Sequence, residues 1–462
     1  MGEDANDADG LLAGLARAMA RAGEGAPETL HRLTGGATME SWRFAAGGKD
    51  FILRRAPSLA FMEGRPFGHT SEAAIIRAAH GAGVTAPGIV TVLEDSDGIG
   101  SGFVMRALPG TPDPRQILSM EQPDRILGEV AHDLARIHSL QRDEVPADIP
   151  ELDYREGIEG LRQQFEEAGG DRPIIALGLR WLMDNVPERI EPVLNHGDYR
   201  LGNILCEDSH LTGVLDWELA HFGDPHEDLA FGCMPVWRFA RYDRPALGLG
   251  SLEDYFAAYQ AESGRPVDPA RFRFWSVYRT VWWALGCLRN ARFWREGEDR
   301  MLERVVISRR TSEQELDLLM LLEEEWPDAD RKRPVLDVHN SEDQELGEAV
   351  DWEMLDAVSE WLSTMKHKVG GHDKFQLAVA RNALGIVKRQ LLGSAWDLTF
   401  DEGRSTCLLN GEFKITDLDL PTQRRRVLDK VRMDSPKYPA LKVVCENWPL
   451  VDWETYRQLE QD

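Results

Sequence analysis

The chain has 462 residues, 42% of them apolar, which is enough for two or three domain-sized cores and excludes a disordered tail. Acidic residues outnumber Lys and Arg 79 to 53, a net charge of -26 that argues against a nucleic-acid or anionic-membrane binder. The five cysteines are scattered without a CxxC pair, so neither a disulfide framework nor a zinc module is expected and a reducing cytoplasm fits.

The N-terminus, MGEDANDADG, is acidic where a signal peptide would be basic. Residues 11–22, LLAGLARAMARA, have the spacing of an amphipathic helix. LTGGATMESWRF then reads as strand, glycine turn and strand, and DFILRRA as a further strand. SEAAIIRAAHGAG predicts a helix ended by glycine, and IVTVLEDSDGIGSGFVMRAL a hairpin around Asp97 and Gly98. After Pro114 the pattern turns helical, with Ile126, Val130, Leu134 and Ile137 on one face of DRILGEVAHDLARIHSL. Two short apolar runs, NILC and GVLDW, interrupt the helices, which resume from about 251 to 325. The most apolar helical stretch, VWWALGCL, is too short to span a bilayer.

This pattern predicts an N-terminal helix over 1–24, a strand-rich lobe over 25–108 and a helical lobe over 109–326. A linker is expected at 327–334, where WPDADRKRP is charged and bounded by proline. A small, mainly helical domain would fill 335–462, with TCLLNGEFKITDLDL read as strand and turn. Packing, dimerisation into a homo-oligomer, or a lid are all open to that domain.

The chemistry concentrates in HGDYRLGNILCEDSHLTGVLDWELAHFGD, which begins at His196. Asp198 sits in a turn, where a carboxylate can orient and deprotonate a hydroxyl. Asn203, five positions on, opens a strand, and Asp216 lies thirteen further, at the end of the partner strand. A hairpin folds those two ends together, so a hard amide oxygen and a carboxylate could grip one magnesium ion beside Asp198. Phosphoryl transfer from ATP to an alcohol also needs a cation on the phosphates and a glycine turn over them.

HGDYRLGN followed by VLDWE resembles the catalytic core of the aminoglycoside phosphotransferase-like (choline kinase-type) small-molecule kinases. LDWELAHFGDPHEDLA with LARIHSL upstream most resembles the branch associated with acyl-CoA dehydrogenases. The resemblance spans roughly residues 25 to 325, on domain-size reasoning. It implies an α+β, two-lobed protein-kinase-like fold with an appended helical C-terminal domain. It also implies ATP and Mg2+ as cofactors and a small-molecule hydroxyl as substrate. Carried over, it makes Asp198 the catalytic base, Asn203 and Asp216 the metal ligands, and His196 and Asp228 supports of the loop. Gly35, Gly36 and Thr38 would cover the nucleotide, and Met105 to Leu108, including Ala107, would meet the adenine. The family's strand lysine is here Arg54, which Glu72 on the following helix could pair; arginine keeps the charge but is longer and forked.

Glu218, Trp282 and Arg289 are expected on the substrate side, a hydroxyacyl-CoA or related hydroxy acid being the favoured substrate. Two alternatives stand beside it: an aminoglycoside-type antibiotic kinase, and a pseudokinase that binds without transfer, which Arg54 alone favours. His221, Asp224, His226 and Asp228 read as helix capping and loop bracing before a metal cluster. Arg289, Arg292 and Arg295 read as a solvated stripe before a patch for a phosphorylated or carboxylated ligand.

Overall fold

The structure, a computed structural model, describes residues 3–33, 39–56, 62, 65–298, 301–336, 351–392, 402–452 and 455. In chain order its first elements are α1 (Glu3–Arg21), β1 (Pro27–Arg32), β2 (Glu40–Ala46), β3 (Lys49–Ala56), α2 (His69–Gly81), β4 (Ile89–Val92) and β5 (Ser101–Arg106). Then come α3 (Pro114–Ile117), α4 (Pro123–Ile137), α5 (Tyr154–Glu167), α6 (Pro173–Asp184), β6 (Val193–Asn195), β7 (Ile204–Glu207), β8 (His210–Val214) and β9 (His221–Gly223). Helices α7 (Pro225–Phe231), α8 (Leu252–Ser263), α9 (Pro269–Glu296), α10 (Leu302–Arg309), α11 (Thr311–Leu322) and α12 (Asp328–Arg331) follow. The chain closes with β10 (Val335–Leu336), α13 (Asp351–Thr364), α14 (Gly371–Leu392), α15 (Glu402–Leu409), α16 (Leu420–Asp434), α17 (Ala440–Asn447) and β11 (Leu450–Val451).

These elements form two units, Met1–Asp153 with Arg189–Phe272, and Tyr154–Glu188 with Arg273–Asp462. In the first, a five-stranded antiparallel sheet runs β1-β2-β3-β5-β4. Successive residues of a strand face opposite sides of its sheet. On β3 this sends Phe51 and Leu53 to one face, where Leu11, Leu15, Ala18 and Met19 of α1 bury them. Ile52 and Arg54 go to the other face. The Arg21 guanidinium, at the end of α1, holds Asp97 at 2.8 Å and so ties the helix to the turn between β4 and β5.

The larger core of this unit gathers Ile76 and Ala79 of α2, Val130 and Leu134 of α4, Ile204, Val214 and Trp217 around the β7–β8 hairpin, and Tyr255 and Tyr259 of α8. The polar hairpin is therefore set on a rigid apolar base. Asp208 and Ser209, at φ 50° and 61°, make the tight turn between β7 and β8. Both central residues lie in the left-handed region, the geometry that matches the twist of paired strands.

The second unit departs from the expected segmentation. Helices α5 and α6, and the chain from Arg273 to Trp326, were assigned to a helical lobe reaching 326, yet they group with 335–462. The expected linker, 327–334, is exposed or half-exposed along its length and lies between two anchored neighbours. Trp326 is buried and its indole N–H donates to the Leu418 carbonyl at 3.0 Å. The Val335 amide donates to Pro449 at 2.8 Å, and β10 pairs in parallel with β11. The charges between them form exposed surface pairs, Arg331 and Lys332 with Asp328 and Arg333 with Asp419. TCLLNGEFKITDLDL is also corrected: it holds the end of helix α15 and a turn of tighter helix at Ile415–Asp417, and no strand. Its apolar run is too short for periodicity to distinguish a strand from a helix whose Leu408 and Leu409 are buried. No described helix is long and apolar enough to cross a membrane.

Candidate active site

His196, Asp198, Asn203, Asp216 and Asp228 all belong to the first unit. The loop from β6 to β7 carries Asp198, and its shape is held from beneath. The Asp228 carboxylate accepts the backbone N–H groups of His196 at 2.5 Å and Gly197 at 2.8 Å, and meets His138 Nε2 at 3.3 Å. Burial raises the Asp228 pKa, but the His138 hydrogen bond and nearby charges outweigh it and hold the carboxyl down at about 2. Gly197 has φ 82°, and a Cβ there would stand 2.2 Å from the Leu219 carbonyl, so the turn admits only glycine. His196 accepts the Asp198 amide on Nδ1 at 3.2 Å and, through Nε2, meets the Leu215 carbonyl at 3.0 Å. One neutral, buried ring thus joins the Asp198 loop to the segment that bears Asp216. Burial pushes its pKa below the usual histidine range, as a structural role requires.

Asn203 and Asp216 are brought together by the hairpin. The Leu215 amide donates to the Asn203 carbonyl at 2.8 Å. The Asn203 side-chain amide donates to the Asp198 carboxylate at 2.6 Å and to its carbonyl at 3.0 Å, which turns the Asn203 oxygen to the opposite side. Asp216 has φ 69°, a left-handed conformation that L side chains seldom adopt and that recurs at functional sites. A carboxylate and a carboxamide oxygen are the hard donors magnesium takes, so the donor set fits that ion.

Arg54 reaches across from β3. Its Nη2 donates to Asp216 at 2.6 Å and to Glu218 at 2.7 Å, while Nε faces Glu72 of α2 at 3.3 Å. Burial by itself weakens the Arg54 charge, but Glu72, Asp216 and Glu218 outweigh it and hold the guanidinium more firmly protonated. Burial pushes Glu72 up to about 7, against the pull of Arg54. Burial likewise pushes Asp198 up to about 6, opposed by Arg200 and by the Asn203 amide, with Asp216 adding to the rise. Glu72, Asp198, Asp216 and Glu218 are faced by Arg54, Arg65 and Arg200, so the site is one positive charge short of neutral and receptive to a cation.

Beside this cluster lies a cavity of about 410 Å3, lined by Ile52, Ile76, Phe103, Met105, Ala107 and Trp217 together with Arg54, Glu72 and Asp216. An apolar slot with charged groups suits a flat aromatic base joined to phosphates. Gly35, Gly36 and Thr38 lie outside the described residues.

Glu218, expected to face substrate, sits on Arg54 and on Arg65 at 3.0 Å. Trp282 and Arg289 belong to α9, in the second unit. The Arg279 guanidinium stacks on the Trp282 ring. Asp224 caps α7 through the His226 amide at 2.9 Å and pairs with Arg271, and His221 meets Glu227 at 3.0 Å. Arg200 went unnoticed in the sequence. Its Nε donates to Asp198 at 2.7 Å and its Nη2 at 3.2 Å, and its guanidinium stacks on Trp237. The D-x-R spacing was its one visible signal.

Comparison with known proteins agrees with this arrangement. The model of the phosphotransferase enzyme family (APH) matches residues 29–275, just over half of the chain. A mouse protein named acyl-CoA dehydrogenase family member 10 is 30% identical over 239 residues, 47% of this chain and 22% of its own length. Acyl-CoA dehydrogenase family member 11 of Pongo abelii is 24% identical over 259 residues, 50% of this chain and 32% of its own length. The chain thus spans only a fifth to a third of these relatives. A crystal structure of a candidate aminoglycoside phosphotransferase from Ralstonia eutropha superposes with TM-score 0.52 at 20% identity. It covers 64% of this chain and 92% of the other, a likeness in fold. With more than half of its residues matched by that model, the chain belongs to the phosphotransferase enzyme family.

Proposed function

We propose that the chain transfers the γ-phosphate of ATP to a hydroxyl of a small molecule, with Asp198 as base and Asn203 and Asp216 as magnesium ligands. The observation that carries this reading is the Asp198 carboxylate, oriented by Asn203 at 2.6 Å and Arg200 at 2.7 Å and joined through His196 to the Asp216 segment. The substrate hydroxyl gives its proton to Asp198 as its oxygen bonds to the γ-phosphorus. The bond from that phosphorus to the β-bridging oxygen breaks, and ADP leaves. Magnesium, when bound, neutralises charge on the phosphate oxygens. Arg54 lies where it can turn from Asp216 and Glu218 toward the phosphates, with Glu72 fixing its stem end. Met105 and Ala107 border the slot proposed for the adenine.

The names of the relatives favour a hydroxyacyl-CoA or a related hydroxy acid as acceptor, with an aminoglycoside as the second reading. Incubation with Mg·ATP and a panel of hydroxyacyl-CoAs, hydroxy acids and aminoglycosides, read by mass spectrometry, separates them. A product 80 Da heavier than one panel member names the acceptor class, the added mass being that of HPO3 (about 80 Da). Nucleotide binding with no product from any class would count against transfer and leave a binding protein.

Arg200 gives a sharper test of the base. A general base works only when ionised, so kcat/KM should climb through pH about 6, the Asp198 value. Arg200 opposes the rise that burial imposes. In Arg200→Gln that opposition is gone, Asp198 holds its proton to higher pH, and the acid limb should move in the alkaline direction. An unmoved limb would separate Arg200 from the base.

A further inference from the structure

The second unit holds a larger cavity, of about 530 Å3, and its lining runs against the character of the chain. The protein carries a net charge of -26, yet six cations border this hollow: Arg172, Arg289, Arg292, Arg295, Arg309 and Lys430. Three carboxylates, Glu167, Asp171 and Asp434, stand among them.

The local pairing sharpens the imbalance. Asp434 is shared by Arg309 at 2.6 Å and Lys430 at 2.8 Å, so one carboxylate serves two cations. Arg172 is held by Glu315 at 3.1 Å and Asp171 at 3.8 Å, and Arg292 by Glu167 at 3.3 Å and Glu296 at 3.6 Å. Arg289 and Arg295 meet no carboxylate among the described residues. Arg289, Arg292 and Arg295 recur every third residue on α9, and like charges at that spacing repel. A stripe kept only for solubility has no reason to border a hollow, whereas an anion seated across it relieves the repulsion. Leu285, Leu288 and Ala291 supply an apolar wall. The volume is that of a small-molecule site, and guanidinium forks match phosphate oxygens two at a time.

We infer that this hollow is a binding site for a small molecule that bears a diphosphate or similar phosphate cluster, with an apolar portion against Leu285, Leu288 and Ala291. The inference stands on the second unit alone and does not depend on the chemistry proposed for Asp198.

Inorganic pyrophosphate, titrated calorimetrically into the full-length protein, is the probe, with citrate as the carboxylate counterpart. Hydrogen exchange locates where it sits. Pyrophosphate should slow exchange in 285–296 and 302–311. Arg289→Glu/Arg295→Glu should weaken its binding by about tenfold or more. Arg289→Lys/Arg295→Lys, which keeps the charge but loses the fork, should fall between wild type and the charge-reversed protein; both side chains are exposed, so either variant should fold. Absence of protection in those segments, or equal affinity in the charge-reversed protein, overturns the site. Citrate binding there as tightly as pyrophosphate overturns the phosphate assignment.

Discussion

Asp198→Asn is expected to lower kcat by about 10²–10⁴, the worth of a positioned general base, with Mg·ATP affinity changed severalfold at most. The replacement keeps the shape of the side chain and an oxygen to accept from Asn203, so the hairpin should stand. A second readout separates loss of the base from loss of the fold. The Asp198 pKa is raised by burial to about 6, above its unfolded value near 3.8. The folded protein therefore binds more protons than the unfolded one between those values, and stability falls as pH rises through that window. Above it, ionised Asp198 is a destabilising group, and Asn should melt at a higher temperature at pH 8. A variant that loses activity while gaining stability identifies a functional carboxylate. One that retains more than a tenth of wild-type kcat would remove Asp198 from the role of base, and kinetics with thermal unfolding at two pH values decide it.

The parts of this site that could be read in the sequence are the ones that local geometry writes. Asn203 and Asp216 flank one hairpin and Asp198 lies in the loop just before it, so their spacing and the strand pattern of NILC and GVLDW place them together. Arg54 and Glu72 were legible for a related reason, because strand alternation and the helix that follows set both toward one side. What escaped was non-local. Arg65 meets Glu218 from 153 positions away, and no periodicity announces such a pair. Arg200 is local, but an arginine in a loop reads as a solvated charge until its fork is seen on Asp198. The division of the helices into units was missed for the same reason. Periodicity identifies an apolar face on α5, α6 or α11 without naming the helix that covers it.

Arg54→Gln should produce the second large effect, because it withdraws the one cation that touches Glu72, Asp216 and Glu218 together. Removing one member of a buried ion pair typically costs about 3–5 kcal/mol. Asp216 and Glu218 keep 31% and 29% of their side-chain surface in solvent, so a smaller loss, about 2–3 kcal/mol, is expected here. The loss should depend on pH. Glu72 stands at about 7 even with Arg54 beside it, and Arg54 is the strongest influence holding it down. Without the guanidinium its pKa rises further above the unfolded value, so the folded state retains a proton the unfolded state has released. Stability then falls as pH rises, and the deficit of Arg54→Gln should be larger at pH 8.5 than at pH 6. Adding Glu72→Gln should recover part of it, since the double variant no longer buries an unpaired carboxylate. Arg54→Lys keeps a charge but has one ammonium on a different stem, which cannot span three carboxylates as the fork does. It should fall between wild type and Arg54→Gln in stability and lose nucleotide affinity as well. Urea unfolding at the two pH values and calorimetric titration with Mg·ATP measure both quantities. If Arg54→Gln matched wild type in each, the three-carboxylate clamp would be incidental to the fold and to the nucleotide.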